Sequence, residues 1–135
     1  MNAIADTGLL VALTRAQDQY HTWAVELASR ITWPVLTCEA VLAETAFHLQ
    51  SSDSVTGMLR DNIVRVAFDC ASHLERLHEL AVRYKDRKPG LADLCLIRMS
   101  ELYPRYAVLT VDEADFRIYR RNKREAIPLL CPPKK

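Results

Sequence analysis

Asp6, Glu44, Asp93 and Asp112 each close, flank or interrupt an apolar stretch of this chain, where an unpaired carboxylate is costly. Asp6 closes Ala3-Ile4-Ala5, and Asp112 closes Ala107-Val108-Leu109-Thr110-Val111, two runs that read as buried parallel strands. In open α/β sheets the ligand crevice lies outside the carboxyl ends of the strands. Four carboxylates gathered there would repel: at ~4 Å each pair costs about 4 kcal/mol at an effective dielectric of 20. Several such pairs are a large share of a domain stability of roughly 5–15 kcal/mol. Such a pocket calls for a divalent cation or for partial protonation, and cation chemistry of this kind acts on phosphates.

Each acid also has a structural explanation. Asp6 suits the N-cap of a following helix, Thr7–Thr14, with Thr7 adding a second oxygen. In the helix running from Thr37 to Gln50, Val41, Leu42, Thr45, Ala46 and Leu49 share one stripe. Glu44 and Glu39 lie on its opposite flanks, so periodicity does not choose between them. Asp93 stands in the first turn of a helix that is apolar nearly all round (Leu91, Leu94, Cys95, Leu96, Ile97, Met99). Such a helix is buried, and the positive end of its dipole favours an early carboxylate that still needs a partner. Asp112 with Asp115 resembles a capping arrangement, and Asp115 is a fifth acid near the pocket.

The elements that must position these residues alternate between short apolar runs and amphipathic helices, the pattern of an α/β fold with a parallel sheet. Strands are expected at residues 2–6, 35–37, 63–67 and 107–111, with a final edge strand over Ala126–Leu129, where Pro128 is tolerable only at an edge. Helices are expected over 7–14, 19–31, 37–50 with Thr37 as cap, 52–61, 71–86 and 91–103, with a short turn at 115–116. Pro89-Gly90 and Pro104 punctuate the second half. The sum is a three-layer α/β/α sandwich around about five parallel strands. A length of 135 residues and the absence of a Gly/Ser-rich linker fit a single domain over 1–135, with 132–135 a loose tail.

No apolar run approaches the ~20 residues that span a bilayer, and no basic, apolar, cleavable leader opens the chain. Cys38, Cys70, Cys95 and Cys131 have no metal-ligand spacing, so zinc and structural disulfides are not expected, and the compartment reads as reducing cytoplasm. The four histidines likewise carry no ligand spacing and read as surface or helix-face residues. Basic residues gather at Arg83–Lys88 and Arg117–Arg124, with Lys134 and Lys135 at the tail; a basic rim would suit a polyanion, although solvated helix faces look the same. Tyr119 beside Arg120 and Arg121 fits nucleic acid weakly.

Taken together, AIADTGLL (Ala3–Leu10), VLAE (Val41–Glu44), GLADL (Gly90–Leu94) and LTVDEADF (Leu109–Phe116) resemble, in order and spacing, the motifs of PIN-domain nucleases. The resemblance covers essentially the whole chain and is greatest to the VapC-type toxins of toxin–antitoxin pairs. It implies a PIN-like fold and a Mg²⁺- or Mn²⁺-dependent endoribonuclease with Asp6, Glu44, Asp93 and Asp112 as catalytic and metal-holding acids. Asp6 and Asp93 would bind directly, Glu44 and Asp112 would hold ordered waters or a second ion, and Thr7, Thr110 and Asp115 would give support. Gly8 falls where many members carry Ser or Asn. Hydrolysis would leave a 5′-phosphate and a 3′-hydroxyl. An RNA substrate, an antitoxin lying across the cleft, and a homodimer are also implied. Trp23 and Trp33 could line such a groove, but core packing is the reading preferred for both.

Two other classes compete. A PIN-like module that binds RNA or protein without cutting has no reason to bear the repulsion among four acids. A receiver-type phospho-acceptor domain needs adjacent early acids and a lysine after a late strand, whereas Asp6 stands alone and Asp112 occupies the late position.

Overall fold

In the computed structural model, which describes residues 1–134, β1 (Ala3–Ala5) is the centre of a five-stranded sheet. The chain then runs through α1 (Thr7–Thr14), α2 (His21–Ala28), β2 (Val35–Thr37), α3 (Glu39–Leu49), α4 (Ser52–Arg60) and β3 (Val64–Val66). A 3-10 turn (Cys70–His73) leads into α5 (Leu74–Arg83), and another (Lys85–Arg87) into α6 (Leu91–Leu102). β4 (Ala107–Leu109), α7 (Glu113–Phe116), β5 (Arg120–Arg121), β6 (Glu125–Ala126) and β7 (Leu129–Leu130) complete it. The sheet order is β3-β2-β1-β4-β7, every neighbouring pair parallel, and β5 and β6 form a separate antiparallel ribbon. Strands thus step outward from β1 first in one direction and then in the other. The crevice between the carboxyl ends of β1 and β4 is the switch point at which doubly wound sheets bind ligands.

Burial explains the regularity. β1 and β2 are buried on both faces, as parallel strands under helices must be. α6 buries Ala92, Leu94, Cys95, Leu96, Ile97, Met99 and Ser100, almost its whole circumference. It packs against both β1 and β4, which brings Asp93 near the crevice. Among the described residues, no helix is long and apolar enough to cross a membrane.

Several expectations need correction. Thr37 does not cap α3: it is the last residue of β2, fully buried, and its hydroxyl donates to the Ala5 carbonyl at 3.0 Å. Cys38 occupies the cap position with no side-chain cap bond. The helix expected over 71–86 is divided into a 3-10 turn and α5, and that over 19–31 shortens to α2. The final strand over 126–129 is two strands. Pro128 supplies only its carbonyl, which accepts the Val108 N–H, and parallel pairing continues to Leu130, while Glu125–Ala126 turn away to pair with β5. Trp33 is 39% exposed rather than core, while Trp23 packs partly buried against it. Of the tail, Pro132, Pro133 and Lys134 border a small cavity with Gln19, Tyr20 and Val111; Lys135 lies outside the described residues.

The second basic cluster is divided: Arg117, Lys123 and Arg124 are exposed, whereas Arg121 is structural. Arg121 is buried; its guanidinium donates to the carbonyls of Ser100 (2.9 Å), in the last turn of α6, and of Pro104 (3.0 Å), just beyond that helix, and pairs with Glu125. Tyr119 is fully buried, so it offers no face on which a base could stack. Arg121→Ala is expected to lower the unfolding free energy by about 2–3 kcal/mol in a urea titration, because it leaves buried carbonyls without donors.

Candidate active site

Asp6 leaves β1 and caps α1, its Oδ1 accepting the Thr7 N–H at 2.7 Å. The fixed N-cap geometry turns the carboxylate toward the crevice. Its Oδ2 accepts the Thr110 hydroxyl at 2.6 Å, and the same Thr110 oxygen accepts the Asp112 N–H at 3.0 Å. One buried threonine therefore ties the end of β1 to the segment after β4 and orients two acids at once. Asp112 in turn caps α7, accepting the Asp115 N–H at 3.3 Å.

Asp93 reaches the same crevice from the first turn of α6, and Tyr119 donates its hydroxyl to Asp93 Oδ2 at 2.9 Å. Glu44 comes from α3, where Thr7 Oγ1 donates to its Oε1 at 3.3 Å. Tertiary geometry thus separates the two flanking glutamates: Glu44 lines the cleft, while Glu39 borders two other cavities. The cleft measures ≈ 360 Å³ and is lined by Asp6, Thr7, Gly8, Glu44, Asp93 and Asp112, with Asp18, Gln19, Tyr20 and His48 also on its wall. His48, read from the sequence as a helix-face residue, is exposed on α3 at this wall.

Oxygens of Asp93, Asp112 and Asp115 lie within 4.8 Å of one another. Asp115 is paired with Arg87 at 2.6 Å, and no described Lys or Arg pairs with Asp6, Glu44, Asp93 or Asp112. The electrostatic consequence follows. Burial pushes the Asp93 carboxyl up to about 7; the Tyr119 bond opposes this, and the charges of Asp6, Asp112 and Glu44 reinforce it. Burial likewise raises Asp6, against the bonds from Thr110 and Thr7, with help from Glu44 and Asp112. Asp112 is raised by burial and by Asp115. These side chains are all-oxygen donors, mutually repelling and largely without counter-charge, a set that fits a hard divalent cation.

Gly8 has a steric reason. A Cβ there would sit 2.3 Å from a Val111 methyl, so the Ser or Asn common at this place in the resembling family would require Val111 to move.

Sequence reasoning missed three contributors. Tyr119 orients Asp93; Tyr84 meets Tyr119 edge-on at 5.0 Å and accepts the Arg120 N–H; Arg87 neutralises Asp115. Tyr119 and Arg87 belong to the basic clusters, and nothing in the spacing distinguishes them from solvated neighbours. Tyr119→Phe is expected to shift the acidic limb of the pH–activity profile upward, since the bond it removes favours the charged form of Asp93. Thr110→Val is expected to cost about 1–3 kcal/mol, measured by urea unfolding, because it strands Asp6 Oδ2 and the Asp112 N–H.

No protein-family model matches the chain, and no curated protein is significantly similar to it in sequence. Among solved structures the chain is similar to Mycobacterium tuberculosis VapC20, described as a sarcin-ricin loop cleaving toxin. The TM-score is 0.68 at 22% sequence identity, covering 79% of this chain and 87% of that one. The fold is PIN-like. The PIN-like sheet has its switch point at β1 and β4, where Asp6 and Asp112 stand.

Proposed function

We propose that this chain is a divalent-metal-dependent endoribonuclease, the toxin of a toxin–antitoxin pair, using Mg²⁺ or Mn²⁺. One observation carries the reading: on a PIN-like fold, four acids distant in sequence line one cleft at the sheet's switch point, none of them ion-paired with a Lys or Arg among the described residues. A protein that only bound RNA would gain from lysines there, not from mutual repulsion.

Asp6 and Asp93 would hold the cation directly, and Asp112 and Glu44 would position waters or a second ion. When bound, the cation supplies Lewis acidity toward a phosphate oxygen and a nucleophilic water at neutral pH. Thr110 and the Thr7 N–H fix both oxygens of Asp6, so that its remaining lone pairs face the cleft. Tyr119 holds the Asp93 carboxylate in one rotamer. Arg87 supplies a counter-charge to Asp115, the acid beside Asp93 and Asp112. Burial and the neighbouring acids bring the Asp93 carboxyl up to about 7, so a bound cation would favour its charged form near neutral pH. An RNA phosphate would find its counter-charge in such a cation, since the cleft wall carries acids and neutral side chains rather than lysines or arginines.

Incubation of the purified chain with RNA should give cleavage in Mg²⁺ or Mn²⁺, none in EDTA, and products with 5′-phosphate ends. Asp6→Asn should lose the activity. Cleavage that survives both chelator and Asp6→Asn would refute the proposal. Copurification with a small antitoxin that blocks the cleft, and a homodimer in solution, are further parts of the reading.

A further inference from the structure

Three of the four free cysteines, unrelated in sequence spacing, meet beneath a single cavity. Cys70 Sγ and Cys95 Sγ lie 3.5 Å apart, and the Cys38 thiol neighbours that of Cys95 on its other side, so Cys95 is the middle sulfur of a row. Cys38, Cys70 and Cys95 line a ≈ 380 Å³ cavity with Phe68 and Leu91, between the cap of α3, the first 3-10 turn and α6. The acidic cleft does not include them.

We infer that Cys70 and Cys95 form an oxidisable dithiol, which a hydroperoxide converts into an intramolecular disulfide. Access and distance assign the order of events. Cys70 is only half-buried at the start of its turn, whereas Cys95 is 1% and Cys38 2% exposed. Peroxide entering the cavity therefore meets Cys70 first. The Cys70 sulfur attacks one peroxide oxygen; the O–O bond breaks, an alcohol (or water, from hydrogen peroxide) leaves, and Cys70 becomes a sulfenic acid. The Cys95 sulfur, at contact distance, then attacks the Cys70 sulfur. The S–O bond breaks, and hydroxide departs as water with the Cys95 proton. Two thiols lose two electrons and two protons, and the peroxide is reduced. Cys38 stands outside this exchange because the 3.5 Å contact joins Cys95 to Cys70. Cys131, beside Glu113 and Arg117, stands outside the row.

The bond would tie the turn ahead of α5 to α6 across 25 residues of chain, which should raise the melting temperature reversibly. It also fixes α6 two residues beyond Asp93.

The test is peptide mapping of the intact wild-type chain after stoichiometric hydrogen peroxide, blocking of residual thiols and proteolysis without reductant. The expected product is the Cys70 peptide joined to the Cys95 peptide, lighter by two hydrogens and reversed by dithiothreitol, with Cys38 alkylated only after unfolding. In Cys70→Ser the Cys95 thiol should survive the same treatment, and in Cys38→Ser the bond should still form. Oxidation of Cys70 to the sulfinic acid while Cys95 stays free, or a bond from Cys95 to Cys38, would overturn the inference. So would a bond from Cys70 to a second chain.

Discussion

Asp93→Asn is expected to produce a chain that is more heat-stable than the parent in chelator at pH 8, and on the order of 10²–10³-fold slower in RNA cleavage. The two effects share one cause. Burial and the neighbouring charges lift the Asp93 carboxyl from 3.8 to about 7, so at pH 8 the folded chain carries a charge that the fold opposes. A shift of this size corresponds to roughly 4 kcal/mol, and partial solvent exposure of the group reduces that to about 2–3 kcal/mol. Asparagine keeps the shape: its carbonyl can still accept the Tyr119 hydroxyl, and its amide can donate toward the other acids. A gain of about 2 kcal/mol should raise the melting temperature by roughly 5–10 °C. Activity falls because an amide is a poor ligand for a hard cation and brings no charge to the site. Scanning calorimetry in EDTA and single-turnover cleavage in saturating Mg²⁺ measure the two arms. A destabilised Asp93→Asn would mean that Asp93 holds the fold through Tyr119 rather than straining it. Stability yielded for activity in this way is common at catalytic sites.

The acids were legible because carboxylates at the ends of apolar runs have few cheap explanations, and strand ends in a parallel sheet share one edge. β1, β2 and β4 could be read for the same reason, since near-continuous apolar runs mark strands buried on both faces. Choosing Glu44 over Glu39 required more: the two differ by less than half a turn about the stripe, and only the packing of α3 beside α1 aims one at Asp6. Thr110 stood out only through the family resemblance, and its double hydrogen bond appears only when β1 and β4 adjoin. Arg121 and Tyr119 were hidden for a different reason. Their partners lie 21 and 26 residues away, on α6, so a run of arginines and a tyrosine gave a surface pattern for groups that are interior. The cysteine row was illegible for the same cause, since its three members reach one cavity from three separate elements.

Metal-free stability is expected to fall as pH rises from about 5 to 8, and a divalent cation is expected to reverse the trend. The direction follows from where protons sit. Asp93 titrates near 7 in the folded chain and near 3.8 when unfolded, so between these values the folded state binds more protons. Its contribution is fully present below the unfolded value and is lost as pH climbs through about 7; Asp6 and Asp112, raised for related reasons, act in the same direction. Glu101 has the opposite sign. Burial alone would lift it, but Arg76, the Asn122 N–H and Arg98 outweigh burial and hold it below its ordinary range. Its stabilisation disappears only as pH falls below about 4.5, outside the window in question. A cation requires the ionised carboxylates and must displace their protons. Its affinity should therefore rise about tenfold per pH unit for each proton displaced, levelling off above pH 7. Binding at pH 6 should release protons that calorimetry in buffers of different ionisation enthalpy can count, with less release at pH 8. The rise in melting temperature at fixed Mg²⁺ should be larger at pH 8 than at pH 6. A stability profile flat from pH 5 to 8, with no protons released on adding Mg²⁺ or Mn²⁺, would mean that the cleft carboxylates do not bind the ion, and the proposed chemistry would lose its physical basis.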